Sequence, residues 1–501
     1  MKTNKLKFLL LGLISLSIIS CNDFLDVNDD PNNLLQEKIT PALLLPGAMN
    51  NAHRVQSRAM NNLGNIWMQN WGGDVNNFTN ANVNDYSLQL SNNYNNGIWD
   101  GIYPAVANFQ AILDFPSETN DNHKAVAYIM KSYYMQYIVD IYGDAPYSQA
   151  FKGQANLSPK YDDDKDIYRD LIVSIDKGID KFYAADPQDV LLGTSDVMLA
   201  GNVLNWVRFA NTLKMKILLR QATLAQTDPA TQTYVQAEFA KIVASGVGFS
   251  TANITINPGY GASENPAQNP FFSLFTDSAG NPTGTNNFTR ATDYIAGILN
   301  GTNTKTTGLV DPRSSRLYVL QSGIVQGAVQ GANIGPDPMS AIGPGLLIGS
   351  TQVGYVMTFA EINFMLSEAK LKNYLTGGLP GALVNFNAGV TASFTLLGAT
   401  GASAYLASAN TKPGLGWGAT TNKLEAIMTQ KWLATNGINA MESYIDQVRT
   451  GFPVIPLATT AEFPNRPYRL LYPTSELVAN SANVPNVTLS QIFTQGPFWK
   501  N

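Results

Sequence analysis

The stretch Ala125–Tyr147, AVAYIMKSYYMQYIVDIYGDAPY, limits what this chain can fold into more than any other. Ala127, Met130, Tyr134, Tyr137, Ile138 and Ile141 fall on one face of a 3.6-residue helix, and Gly143 and Pro146 supply the stop. A long helix with such a face needs other helices to cover it. Trp206, Phe209, Ala210, Leu213 and Ile217 repeat the spacing, and Arg208, Lys214, Lys216 and Arg220 elsewhere around the segment predict an amphipathic helix. Thr358 with Glu361 and Asn422 with Glu425 have the spacing of capping boxes ahead of two more. Further helices are predicted near residues 41–71, 98–115, 166–183 and 234–244. The chain reads as mainly α and built of helix hairpins. Starts near 99, 125, 167 and 204 are too uneven for a regular repeat of ~34 residues.

Two regions break the helical pattern. Residues 72–96 are rich in Asn with scattered aromatics, and residues 257–350 are rich in Gly, Asn, Pro and Ser. Both predict elaborated loops; Phe271, Phe272, Phe275 and Phe288 make the second too apolar for disorder.

At the N-terminus Lys2, Lys5 and Lys7 precede an apolar run, Phe8–Ile19, shorter than the ~20 residues of a spanning helix. Residues 1–20 therefore read as a secretory signal. The run ends Ile18-Ile19-Ser20-Cys21, which resembles a bacterial lipobox, so Cys21 is the expected lipidation site and first mature residue. Residues 21–40 read as an acidic tether, and residues 41–501 as a single domain with an insertion around 257–350. No later stretch is apolar and long enough to span a bilayer.

Composition narrows the chemistry. One cysteine excludes an intrachain disulfide and a Cys-based zinc cage, and two histidines offer little for metals or general bases. The formal charge of -5 becomes -8 when the signal takes its three lysines away, the wrong sign for nucleic acid. Asp26, Asn28, Asp30 and Glu37 have calcium-loop spacing, but Pro31 stands where glycine is needed. The acidic run Asp162, Asp164 and Asp166 is explained by a helix N-terminus. No metal or cofactor is expected. HExxH, P-loop and GxSxG motifs are absent, and His53 and His123 are far apart. Any pair among 37 acids could still serve a glycosidase.

Binding is better provided for. Aromatic rings stack on sugar faces while amides give neutral hydrogen bonds, and the segment Trp71–Trp99 concentrates both. Trp71, Asn76, Asn77, Phe78, Tyr86 and Tyr94 are the candidate ligand contacts; the competing reading is that these rings pack the loop onto the body. Trp417, between Gly416 and Gly418, reads either as exposed for a partner or as a groove plug.

The motifs also have a familiar order. The lipobox followed by NDFLDVNDDPN, then IVDIYGDAPYSQAF, PKYDDDKDIY and NWVRFANTLKMKILLRQA, resembles the SusD/RagB family of Bacteroidetes outer-membrane lipoproteins. Asp311-Pro312-Arg313, MTFAEINFMLSEAK, LEAIMTQKWLA, ESYIDQVRTGFP and RLLYPTSELVAN carry the resemblance to the C-terminus, and the arrangement is similar to the second SusD-like subgroup. Tyr444 departs from the Trp found in many relatives. The resemblance implies a scaffold of four tetratricopeptide-like helix pairs with a loop-rich C-terminal part. It implies a non-enzymatic surface lipoprotein that binds oligosaccharides, or peptides in some branches, for a SusC-like TonB-dependent transporter in the outer membrane. Its motifs belong to the scaffold, so it transfers no ligand-binding residue.

Overall fold

The computed structural model of the protein describes residues 39–262 and 267–500. The signal segment, Cys21, all but the end of the 21–40 tether and the Asp26–Glu37 pattern lie outside the described residues.

Helix α1 (Pro41–Val55) begins with proline, whose missing amide hydrogen is harmless in a first turn. One π turn, Gln56–Met60, joins it to α2 (Asn61–Trp67). Helix α3 (Gly97–Asp114) packs on α1, and α4 (Asp121–Tyr142) on α3. Then α5 (Asp164–Ala184) packs on α4, α6 (Val203–Arg220) on α5, and α7 (Pro229–Ala244) on α6. The chain returns through α8 (Phe359–Leu371), α9 (Gly378–Leu397), α10 (Lys423–Thr435) and α11 (Ala440–Thr450). Helix α8 lies against α6, α9 and α10, while α11 closes on α2. The mainly α expectation holds, and a continuous hydrophobic cluster runs through these helices.

Local signals explain several ends. Thr358 Oγ1 accepts from the Glu361 amide at 3.1 Å, and Asn422 Oδ1 from the Leu424 amide at 3.1 Å. Both caps form, but neither glutamate reaches back: Glu361 faces Lys216 at 3.5 Å and Glu425 faces Lys305 at 3.4 Å. Asp163 caps α5 through the Lys165 and Asp166 amides, and Gly143 ends α4 at a φ of 77°.

Two helices differ from their sequence reading. Helix α4 is buried on every face from Ser132 to Tyr142, because α1, α3, α5 and α6 surround it. Helix α6 buries Lys214, Lys216 and Arg220 instead of presenting them to solvent. Long aliphatic stems fill core space there, and α4, α8 and α11 supply carboxylates for Lys216 and Arg220.

The insertion folds into short helices and strands. Its strand Thr289–Ala291 pairs antiparallel with Trp71–Gly73, Trp71 opposite Ala291 and Gly73 opposite Thr289. This ribbon holds the two loop regions together. Gly73 is required there, since a Cβ would lie 2.5 Å from Ala81 Cβ and 2.7 Å from Phe288 Cζ.

Candidate functional site

Beside that ribbon lies a cleft of about 440 Å³. Arg58, Asn62, Trp71 and Asn82 line one part of it, and Phe275, Thr285 and Phe288 from the insertion line the other. The π turn decides what α1 and α2 present. One extra residue per turn rotates the helix faces, so Arg58, Ala59 and Asn62 border the cleft while His53 and Ser57 border a separate small pocket.

Trp71 is 1 % exposed, edge-on to Phe275 with ring centres 5.8 Å apart, and its indole N–H has no acceptor among the described residues. The Tyr86 hydroxyl accepts from the Gly73 amide at 3.3 Å and from Asn82 Nδ2 at 3.2 Å; burial pushes this phenol's pKa up. Tyr94 donates to the Asp85 carboxylate and stacks on Trp67 at 6.0 Å, with burial raising both the Tyr94 and Asp85 pKa values. The Asn76 amide bridges to Gly335 and Pro336, and Asn77 donates to Asp74 at 3.0 Å. Phe78 is 38 % exposed and meets Phe288 edge-on at 5.2 Å.

Much of the loop's amide and hydroxyl chemistry is thus spent on holding the loop. The structure brings Trp71 to the cleft and Phe78 to the ring of Phe288 at its border; Asn76, Asn77 and Tyr94 make their contacts elsewhere. Sequence reasoning missed Arg58, Asn62, Asn82, Phe275, Thr285 and Phe288 as cleft residues. The phenylalanines stood out as apolar residues in a polar loop, but nothing local pairs residue 71 with residue 291. Trp417 plugs a groove: it is buried against Phe386 at 5.4 Å.

The cleft lining contains no carboxylate, imidazole or thiol among the described residues, so it offers stacking and hydrogen bonding but no general acid or base. A larger depression of about 570 Å³ lies over α3, α4 and α5, and several of its polar groups hold the fold. Asp162 accepts from the Tyr147 and Ser148 amides, Asp170 from the Tyr147 hydroxyl, and Lys131 donates to Gln110. Asp144, Asp163 and Asp164 bring carboxylate oxygens within 4.8 Å of one another. All three acids already hold backbone: Asp144 accepts the Asp164 amide, Asp163 the Lys165 and Asp166 amides and Asp164 the Phe498 amide, with burial raising the Asp164 pKa to about 6.

A protein-family model described as SusD-like, "Starch-binding associating with outer membrane", matches residues 31–473. The chain belongs to the SusD-like family. A chitin-binding SusD homolog from Flavobacterium johnsoniae superposes with a TM-score of 0.70 at 23% identity, covering 88% of this chain and 94% of that one. A SusD homolog from Bacteroides uniformis gives 0.69 at 22% identity, covering 91% and 99%, and a SusD-like protein from Bacteroides thetaiotaomicron gives 0.68 at 21%, covering 88% and 94%. These likenesses establish the SusD-like fold, a tetratricopeptide-like helical scaffold carrying loop-rich insertions. No curated protein matches the chain. Among the described residues no helix is long and apolar enough to cross a membrane.

Proposed function

We propose that this SusD-like protein is a cell-surface lipoprotein that captures oligosaccharides and hands them to a SusC-like TonB-dependent transporter. The observation that carries this reading is the carboxylate-free cleft, where Trp71, Phe275 and Phe288 accompany Asn62, Asn82 and Thr285. Rings and neutral donors suit the alternating apolar faces and hydroxyls of sugars. The family description and the chitin-binding relative support the same ligand class. Glycoside hydrolysis needs two carboxyl groups flanking the scissile bond, and this cleft has none among the described residues, so capture without catalysis fits it better. Residues 1–20 would be the signal, Cys21 the lipidated residue and 21–40 the tether to the outer membrane, leaving 41–501 as the binding domain. Phe78 and Phe288 are its proposed ligand-side rings, with the buried Trp71 backing the cleft wall and Asn76, Asn77, Tyr86 and Tyr94 shaping the loop.

Calorimetric titration of starch, chitin and other oligosaccharides into the mature protein tests the reading. Phe78→Ala should weaken binding by about 1 to 3 kcal/mol. Because Phe78 is partly exposed, the unfolding free energy should fall by less than the roughly 3 to 5 kcal/mol of a core Phe→Ala change. Binding of peptides but of no oligosaccharide would replace the glycan reading with a peptide-binding one. Anchoring is tested separately: Cys21→Ala should move the protein from the membrane to the soluble fraction, and its retention on membranes would refute the lipid anchor.

A further inference from the structure

We infer that the cleft selects acidic over neutral sugars, the Arg58 guanidinium pairing with a uronate carboxylate of the bound oligosaccharide; this deepens, and rests on, the glycan-binding reading above. Arg58 sits in the π turn at the cleft and is only partly exposed. Among the described residues its side chain makes no ion pair and no hydrogen bond. That sets it apart from Lys216, Arg220, Arg313, Lys431 and Arg449, which are all buried and all paired with acids. The charge that acts on Arg58 is another cation, Arg54, and burial together with Arg54 lowers its pKa. Arg290, in the ribbon itself, is spent on Asp74 at 3.2 Å and on the Asn286 and Thr289 carbonyls.

A partly dehydrated cation without a partner is unfavourable, and an anion entering beside it removes that cost. The indole N–H of Trp71, buried in the cleft wall, is a further donor without a partner among the described residues. Asn62, Asn82 and Thr285 bring neutral acceptors to the cleft, so what Arg58 lacks is a negatively charged one. A guanidinium fork matches a planar carboxylate through two parallel hydrogen bonds, which a sugar hydroxyl cannot provide. Asn62 and Asn82 remain for the hydroxyls of the same chain.

The test titrates a galacturonic acid trimer, a neutral galactose trimer and a glutamate-rich peptide into the full mature protein at low and high salt. The acidic trimer should bind at least about tenfold more tightly than the neutral one, with the preference shrinking as salt rises. Arg58→Met should bring the ratio of the two affinities close to one. Arg58→Lys, which keeps the charge but not the fork, should give an intermediate ratio and guards against a folding defect in the methionine variant. Equal affinities in the unmodified protein, or a preference that survives Arg58→Met, would overturn the inference while leaving glycan binding intact. Failure of both trimers to bind would overturn the glycan reading itself, and selective binding of the peptide would replace both.

Discussion

Arg220→Met should lower the unfolding free energy by about 3 to 5 kcal/mol, although no ligand contact is involved. Arg220 joins three acids at the centre of the scaffold: Asp140 at 3.1 Å, Glu442 at 2.7 Å and Asp446 at 3.3 Å. Lys216 holds Glu442 at 2.6 Å, Lys431 holds Asp446 at 2.7 Å, and Arg449 grips Glu368 with two hydrogen bonds of 2.6 and 2.8 Å. Every one of these side chains is nearly dry. Burial alone would raise the pKa of each acid, yet the surrounding cations hold Glu442 and Asp446 below the usual carboxylate range. Asp140 and Glu361 are instead raised, with burial the main cause and Glu442 adding repulsion. Removing the guanidinium leaves Asp140 with no cation and takes one cation each from Glu442 and Asp446, which keep Lys216 and Lys431, so the dehydration of these acids is less well compensated. Lys241→Ala is the control, because Lys241 meets Glu238 at 2.6 Å with its side chain 64% exposed, and its loss should cost less than about 1 kcal/mol. Denaturant unfolding followed by two probes measures both. A cost for Arg220→Met no larger than that of the control would show that the network is not what holds α4, α6 and α11 together.

The second large effect is on the acid side of neutrality. His53 is 1 % exposed, and both ring nitrogens lack partners among the described residues. Gln56, close by, directs its amide N–H groups to Val356 and Tyr133 and offsets only part of the burial of His53. Burial therefore lowers the His53 pKa from 6.5 to about 4. The folded state favours the neutral ring, so its contribution is present above pH 6.5 and drains away as pH falls toward 4. The unfolded chain takes up the proton first in that window. At about 1.4 kcal/mol per pH unit the loss approaches roughly 3 kcal/mol. Asp164 works the other way: its folded pKa of about 6 lies above the 3.8 of a free aspartate, so protonation favours the folded chain as pH falls through the same range. The clean readout is consequently a difference between proteins. His53→Gln should flatten the acid limb relative to the unmodified chain, and parallel curves for the two would remove His53 as the cause.

Part of this could be read before any fold was known. The apolar spacing of α4 and α6, the caps at Thr358 and Asn422 and the stop at Gly143 are local, because a helix end is settled by a few neighbouring backbone groups. Whether a helix face is wet or dry is not local. Lys216 and Arg220 carry the same side chains in a solvated face or in a core, and the choice fell to Asp140, Glu361, Glu442 and Asp446 on other helices. The aromatic loop was recognisable as a site candidate, yet burial of Tyr86 and the Asp85 contact of Tyr94 turned two of its rings into struts.

The amino-acid order alone determined the helical class, the two loop regions and the family resemblance, since periodicity, capping and motif order are properties of neighbours along the chain. Tertiary structure alone decided the cleft. Its phenylalanine side comes from residues more than two hundred positions beyond Trp71, brought there by a three-residue ribbon. Its unpaired arginine is set by a π turn whose single extra residue has no signature in composition or spacing.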